Sequence, residues 1–209
     1  MFTGLIEHVG RVGALDAIEG GYRLSIDTAV AGELRNGDSI AVNGVCLTVV
    51  GRDAERFLTE IGPETARVTT LGALRPGGIV NLERPMRPDS RMGGHFVLGH
   101  VDCVGTLTAI RPDGEFWWIT VAFDRQLAPY FIPKGSVAVD GISLTVAALR
   151  DADFDVQIIP FTMEHTNLHA SRAGDAVNLE VDVIGKYVVR VSQLAGMWPA
   201  DGRAPLPLP

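Results

Sequence analysis

The chain contains one sequence twice, at a constant separation of 97 residues. Residues 39–50 read SIAVNGVCLTVV and residues 136–147 read SVAVDGISLTVA, with seven of the twelve positions identical. Residues 63–83 and 160–180 keep the same separation and are identical at eleven of twenty-one positions. A unit of this length is a whole small domain rather than a solenoid repeat. The duplication therefore predicts two copies of one binding domain, which suits a protein that handles two similar ligands at once.

Charge and cysteine content narrow the class of protein. A formal net charge of -7 argues against binding to nucleic acid or to an anionic membrane, because both require clustered Lys and Arg. The two cysteines, Cys46 and Cys103, are too few for a disulfide framework. The sequence shows neither a signal-peptide pattern nor a run of about 20 apolar residues. These features predict a soluble, reduced, cytoplasmic protein that does not enter a membrane.

Each copy is rich in short apolar runs separated by turn residues. Asn43-Gly44 and Asp140-Gly141 each lie between two such runs, which is a strong hairpin signal, and residues 116–123 form a further strand candidate. Several short strands in each copy predict a small closed barrel or a sandwich. Pro63 and Pro160 predict short helices that start directly after them.

The sequence also predicts how the two copies are connected and how the chain ends. Residues 84–94 (RPMRPDSRMGG) are rich in Pro, Gly and charge and read as a linker. Residues 185–197 carry apolar residues at helical spacing outside both copies, so a subunit interface is as good a partner for them as the chain's own domains. The predicted units are residues 1–94, 95–184, a helix at 185–198 and a disordered tail at 199–209.

Cys46 and Ser143 occupy the same position in the two copies, directly after the turn. A thiol in one copy and a hydroxyl in the other is what two related pockets with different roles would show. The alternative is that both are small buried residues, because a free cysteine is often part of a core. No base lies near Cys46 in the sequence, so a nucleophilic cysteine has no further support.

The histidines leave several interpretations open. His95 and His100 would lie on opposite faces of a straight strand, unless Gly99 bends it. His165 and His169 have the spacing of a helical metal site, but no third ligand is nearby, so a metal is improbable. His100 lies beside glycine, where the backbone can approach a flat ligand, and it suits a general acid or base.

Asp182 and Lys134 are charges that only the second copy has, because Pro85 and Gly37 stand at the equivalent positions. The shared fold does not require them, which makes them candidates for chemistry, although solvated surface charges are an equal alternative. The sequence contains no dinucleotide-binding or phosphate-binding glycine motif and no Gly-x-Ser-x-Gly elbow.

Taken together, the motifs resemble the riboflavin synthase family over residues 1–187. The segments that carry the resemblance are MFTG (1–4), NGVCLTV (43–49), GGHFVLGHVD (93–102), KG (134–135), DGISLTV (140–146) and VNLEVD (177–182). The resemblance implies an all-β fold of two tandem, homologous, six-stranded Greek-key β-barrels followed by a C-terminal helix.

The resemblance also implies a reaction and an assembly. Two molecules of 6,7-dimethyl-8-ribityllumazine exchange a four-carbon unit, which gives riboflavin and 5-amino-6-ribitylamino-2,4-pyrimidinedione without a redox or metal cofactor. One lumazine must lose a proton from its 7-methyl group, and the other must accept a nucleophile at its ring. The family forms homotrimers held by C-terminal helices, in which the first pocket of one subunit faces the second pocket of its neighbour. An association with lumazine synthase is left open.

The site residues carried over from the family fall into three groups. The catalytic candidates are Cys46, His100, Ser39, Ser143, Thr145, Asp182 and Phe2, the last acting through packing and its backbone. The first pocket is expected to be lined by Gly4, Leu5, Ile6, Cys46, Leu47, Thr48, Glu60, Ile61, Gly62, Pro63, Glu64 and Thr65. The second pocket is expected to be lined by Gly99, His100, Val101, Lys134, Ser143, Leu144, Thr145, Gln157, Ile158, Ile159, Pro160, Phe161 and Thr162.

Three departures from the family pattern and two rival functions complete the prediction. Phe161 and Pro63 stand where the family usually has other residues, and Pro199 would shorten the last helix. One rival is a lumazine-binding antenna protein, which holds its ligand without converting it; the polar residues of the second copy argue against this. A fragment of a flavin reductase is disfavoured by the full duplication and by the missing nucleotide motif.

Overall fold

The computed structural model describes residues 1–197, which form thirteen strands and three α-helices. The strands are β1 His8–Ile18, β2 Gly21–Asp27, β3 Ser39–Val42, β4 Val45–Arg52, β5 Arg56–Ile61, β6 Ile79–Glu83, β7 Cys103–Asp113, β8 Phe116–Ala122, β9 Ser136–Val139, β10 Ile142–Thr145, β11 Ala148–Leu149, β12 Asp153–Ile158 and β13 Ala176–Val181. The helices are α1 Pro63–Val68, α2 Pro160–His165 and α3 Val183–Leu194. No helix among residues 1–197 has the length and apolar character needed to cross a membrane.

Strands β1 to β6, here the first barrel, close into a ring in the order β1-β2-β5-β4-β3-β6. Alternation along each strand sends one set of side chains inward. On β4, for example, Val45, Leu47 and Val49 are buried in the barrel core, whereas Thr48 is exposed on the outer face. The core of the first barrel is therefore filled by apolar side chains, among them the fully buried Phe57, and the hydroxyl of Thr48 is left on the outer face.

Strands β7 to β13, here the second barrel, follow the same cyclic order as a seven-stranded sheet, β10-β9-β13-β7-β8-β12-β11. Its two edge strands, β10 and β11, together correspond to the single strand β4 of the first barrel. The break falls at Val146 and Ala147, whose N–H groups donate to Gly135 and Asp155 instead of continuing one ladder. The predicted pair of homologous β-barrels with a C-terminal helix is confirmed.

The local predictions from sequence are confirmed for the hairpins and the short helices. The turns at Asn43-Gly44 and Asp140-Gly141 join antiparallel strands, and α1 and α2 begin at Pro63 and Pro160. The C-terminal helix begins at Val183, two residues earlier than predicted, because Asp182 accepts a hydrogen bond from the N–H of Ile184 and caps it. The predicted disordered tail and Pro199 lie outside the described residues.

The two hairpin turns pack against each other where the barrels meet. A Cβ atom on Gly44 would lie 2.7 Å from the backbone nitrogen of Gly141, so neither turn leaves room for a side chain at its glycine. The Asn81 amide donates to the backbone carbonyl of Asp140 at 3.0 Å, and the Asn178 amide donates to that of Asn43 at 2.9 Å. These reciprocal bonds give the interface approximate two-fold symmetry and fix the two barrels relative to each other.

Candidate functional site

Four of the seven candidate catalytic side chains lie on the outer faces of the two hairpins. Ser39 is paired with Thr48 across β3 and β4, and Cys46 lies two residues from Thr48, so alternation places all three on one face. Ser143 and Thr145 take the equivalent positions on β10. We call the surroundings of Cys46 the first half-site and those of Ser143 the second half-site.

The second half-site is completed by the start of the chain, which crosses over from the first barrel. Glu83, at the end of β6, accepts hydrogen bonds from the N–H groups of Thr3 and Gly4, at 2.6 and 2.9 Å, and from the Thr3 hydroxyl. The carbonyl of Gly4 then accepts a 2.8 Å hydrogen bond from the N–H of Ser143. Residues 1–6 therefore belong to the first copy by sequence and to the second half-site by contact.

The first half-site is completed in the same way from the other direction. Glu180, at the end of β13, accepts hydrogen bonds from the N–H groups of Leu98, Gly99 and His100 at 2.7 to 3.1 Å. The carbonyl of Gly99 accepts a 2.9 Å hydrogen bond from the N–H of Cys46. The two half-sites are thus built by an exchange of backbone segments between the copies.

Gly4 and Gly99 are the positions where this exchange requires glycine. Both have positive φ, 76° and 82°, a region that L side chains rarely adopt. A Cβ on Gly4 would lie 2.6 Å from the Cβ of Ser143, and a Cβ on Gly99 would lie 2.5 Å from that of Cys46. Any side chain at either glycine would push the crossing segment away from its half-site.

The exchange overturns the predicted division of residues between the pockets. Gly4 to Ile6 were expected beside Cys46, and Gly99 to Val101 beside Ser143, but each group lies at the other half-site. Ile6 packs against the core of the second barrel, and Val101 packs against that of the first. The prediction was wrong because it assigned each segment to the copy that contains it, whereas the hydrogen bonds cross between copies.

A cavity of about 390 Å³ marks the second half-site. It is lined by Gly4, Leu5, Ile6, Ile142, Ser143, Ile159, Phe161, Thr162, His165 and Thr166. Phe161 is 65% exposed, and its ring stacks on that of His165 with the centroids 4.0 Å apart. A larger hollow of about 560 Å³ runs along the connection between the barrels and contains none of the catalytic candidates, so size alone does not locate the site.

The charged candidates of the second copy stand at turns and helix ends. Lys134 is exposed and has a φ of 65° in the turn before β9, and its N–H donates to the carbonyl of Val146. Asp182 caps α3 at 2.9 Å from the N–H of Ile184. His100 is exposed beside Gly99, so its imidazole is free to face a ligand at the first half-site.

Other predicted residues are placed where the side chain has a different partner. Leu47, Ile61 and Ile158 are buried in the barrel cores, so only their backbone faces outward. Phe2 is fully buried between the barrels, where its N–H donates to the carbonyl of Val97 at 2.7 Å, which places it under the site rather than in it.

Two exposed glutamates near the first half-site are held in ion pairs. Glu60 pairs with Arg23 at 2.7 Å and Glu64 pairs with Arg67 at 2.6 Å.

His165 and His169, the pair considered for a metal, lie in different elements, and their Nδ1 atoms are 2.8 and 2.6 Å from the backbone carbonyls of Phe161 and Thr166. No cluster of three or more His, Cys, Asp or Glu that could hold a metal occurs within residues 1–197.

The structure adds three residues that the sequence prediction did not include. Glu83 and Glu180 anchor the crossing segments, and they could have been found because both copies keep a charged residue at the end of an otherwise buried strand. His95 is buried with its Nδ1 atom 2.7 Å from the Ser143 hydroxyl. The local sequence pattern did not indicate this contact, because His95 and Ser143 are 48 positions apart.

Comparison with known proteins identifies the family. The family model for the lumazine binding domain matches residues 3–85 and 98–182, which is most of the chain. The riboflavin synthase of Mycobacterium tuberculosis (strain H37Rv) is 45% identical over 202 residues, covering 94% of this chain and all of the relative. The chain belongs to the riboflavin synthase family. The enzyme of Schizosaccharomyces pombe is 41% identical over 196 residues, with 91% of this chain and 93% of the relative covered.

Solved structures agree with the family at the level of the fold. The crystal structure of LumP complexed with 6,7-dimethyl-8-(1'-D-ribityl)lumazine has a TM-score of 0.79 at 21% identity and covers 87% of this chain and 99% of LumP. The complex of LumP with riboflavin gives 0.80 at 23% identity with the same coverage. At this identity the likeness establishes the two-barrel fold alone, and the riboflavin synthase relatives carry the functional argument.

Proposed function

We propose that the protein is a riboflavin synthase, a transferase that converts two molecules of 6,7-dimethyl-8-ribityllumazine into riboflavin and 5-amino-6-ribitylamino-2,4-pyrimidinedione. The observation that carries this proposal is the 45% identity to a riboflavin synthase over that relative's whole length. The duplicated half-sites fit the reaction, because two copies of one substrate must be held together. Binding alone, as in an antenna protein, is less favoured because the relatives at 38–45% identity are riboflavin synthases.

The reaction needs positioning and proton movement more than any other chemistry. The four carbons lost by one lumazine are gained by the other, so the atoms balance without an oxidant or reductant. Holding two reactants in the correct geometry can lower a barrier by about 7–11 kcal/mol. The rigid exchange of segments around Gly4 and Gly99 supplies such positioning, because each half-site is fixed by hydrogen bonds to both copies.

Specific roles follow from where each group lies. In the first half-site, Cys46, Thr48 and Ser39 form a polar strip on one hairpin face, with His100 exposed beside them. We assign His100 and Cys46 to proton transfer and nucleophile activation on the lumazine bound there. In the second half-site, Ser143 and Thr145 take the same strip positions and contact the other lumazine through hydroxyl groups.

Lys134 and Asp182 complete the second half-site in this proposal. Both are present in this copy alone, and a charge of each sign near one ligand can polarise its ring and its ribityl hydroxyls. Phe2 supports the site from below through its buried ring and its hydrogen bonds to Val97.

Helix α3 supports a homotrimer as part of the proposal. One side of the helix packs on the protein through Val189, whereas Tyr187, Val191 and Leu194 are 62–72% exposed on another side. A contiguous apolar stripe of this kind is typical of a subunit interface. In the trimer, the first half-site of one subunit faces the second half-site of its neighbour. Cytoplasmic location and association with lumazine synthase stay predictions.

Incubation of the purified protein with 6,7-dimethyl-8-ribityllumazine, followed by absorbance, tests the proposed function. We expect riboflavin to form, with the absorbance of the lumazine falling at the same time. Tight binding of lumazine with no riboflavin would place the protein in the antenna class and overturn the proposal.

A further inference from the structure

The second half-site contains a buried imidazole in direct contact with its serine. The His95 Nδ1 atom lies 2.7 Å from the Ser143 hydroxyl, and His95 is 7% exposed. The backbone N–H of His95 donates to the carbonyl of Thr3 at 3.1 Å, so the segment that carries the imidazole is itself held by the start of the chain. Ser143 in turn lines the cavity of the second half-site. The hydroxyl therefore has a fixed partner on its protein side and a cavity on the other.

The first half-site lacks this contact. Within residues 1–197, the Cys46 thiol has no hydrogen-bond partner, and only the Cys46 N–H is engaged, by Gly99. The two half-sites, which are nearly symmetric in their backbone, therefore differ at the aligned side chains of Cys46 and Ser143. The difference gives the second half-site an oriented hydroxyl and leaves the first with an unpaired thiol.

The protonation of His95 follows from its surroundings. Burial lowers the pKa of the imidazole, against the opposing effect of the nearby Asp182 carboxylate, so the ring is neutral near pH 7. A neutral ring has one donor and one acceptor nitrogen. Nε2 is buried without a partner, and an unpaired lone pair there is easier to accommodate than an unpaired buried N–H. The hydrogen is therefore on Nδ1, and it is donated to the Ser143 oxygen.

We propose that His95 is a positioning residue that donates from Nδ1 to Ser143 and so directs the serine hydroxyl proton into the cavity of the second half-site. There the hydroxyl donates to a carbonyl or ring nitrogen of the bound lumazine and polarises its ring. The inference rests on the proposed function for the identity of that ligand, but the contact and the tautomer do not depend on it.

Three variants separate positioning from general structural support. His95→Phe removes the donor and keeps a planar ring; His95→Asn keeps an N–H close to the position of Nδ1; Ser143→Ala removes the acceptor. We expect His95→Phe to lower kcat/KM for riboflavin formation about tenfold, the effect of about one hydrogen bond, and His95→Asn to stay within about threefold of wild type. Added to Ser143→Ala, His95→Phe should cause less than about a twofold further loss, because the partners act as one unit.

Both the kinetics of the variants and the tautomer of His95 in the wild-type protein can refute the positioning role. If His95→Phe lowers kcat/KM by the same factor in the wild-type protein and in the Ser143→Ala variant, His95 does not act through the serine. The same conclusion follows if His95→Phe does not lower kcat/KM at all. Because His95→Phe could fail to fold, the tautomer is also measured in the wild-type protein by the ¹⁵N chemical shifts of its imidazole. Protonated Nδ1 supports the inference and protonated Nε2 refutes it, whereas a wild-type protein that forms no riboflavin would refute the proposed function instead.

Discussion

Asp140 breaks the symmetry of the hydrogen bonds that join the two barrels. The first copy has Asn43 at the equivalent position, whereas the Asp140 carboxylate accepts from the Asn178 N–H and the Asn167 amide, both at 2.8 Å. Burial raises its pKa from 3.8 to about 6, more than these hydrogen bonds lower it. The sequence pattern identifies Asp140 only as a turn residue, whereas in the structure it is a buried acid between the two barrels.

Asp140 should make the protein less stable as the pH rises. Because its folded pKa is higher than its unfolded pKa, the folded state binds more protons between these values, and stability is lost as the pH rises from about 4 to above 6. The rise from 3.8 to about 6 corresponds to about 3 kcal/mol. Because pH 4 is already slightly above the unfolded pKa, about 2 kcal/mol of this loss falls between pH 4 and pH 7. Urea unfolding at these two pH values should therefore show that the wild type loses about 2 kcal/mol more than Asp140→Asn. Parallel losses in both proteins would contradict the assignment.

The two half-sites also show which features of the site can be predicted from the sequence and which cannot. The hydroxyl and thiol at positions 143 and 46 could be aligned from the repeat alone. The contact of His95 with Ser143 could not, because it joins an irregular segment to a strand 48 positions further along the chain. Such a contact depends on the path of an irregular segment, for which periodicity gives no information.

The strands β6 and β13 end in the carboxylates that hold the crossing segments. Burial raises the pKa of Glu83 and of Glu180, although each accepts hydrogen bonds from three donors. Glutamine at either position would turn an N–H₂ group towards backbone N–H donors and leave at least one of them unpaired.

Glu83→Gln and Glu180→Gln should therefore each lower the free energy of unfolding by about 1–3 kcal/mol, measured by urea denaturation. Glu33→Gln is the matched control, because Glu33 is an exposed partner of Arg84 and should change stability by less than about 1 kcal/mol. Losses no larger than that of the control would show that the carboxylates do not anchor the segments.

Helix α3 gives a prediction about assembly. Val191→Lys places a charge in the exposed apolar stripe and should convert the proposed trimer into monomers, because burying an unpaired charge is unfavourable. Gln193→Lys adds the same charge to another side of the helix and should leave the trimer intact. Sedimentation velocity distinguishes the two states, and a wild-type protein that sediments as a monomer would refute the proposed trimer.

For the molecule as a whole, the repeat predicted most of the architecture. The hairpins, the helices after Pro63 and Pro160, the two homologous barrels and the family are confirmed. The pocket assignment carried over from the family placed residues 4–6 and 99–101 at the half-sites of their own copies, whereas the hydrogen bonds of Gly4 and Gly99 cross to the other copy. Exchange of segments leaves every local pattern unchanged, so only the three-dimensional path of the backbone can reveal it.

The central claim is that one chain carries two complete lumazine half-sites. Equilibrium titration with a ribityllumazine analogue that lacks the 7-methyl group tests this most directly, because the analogue has no methyl proton to lose and cannot be converted. The account predicts two analogue molecules bound per chain. Saturation at one molecule per chain would contradict it, because one half-site would then be unable to bind the ligand.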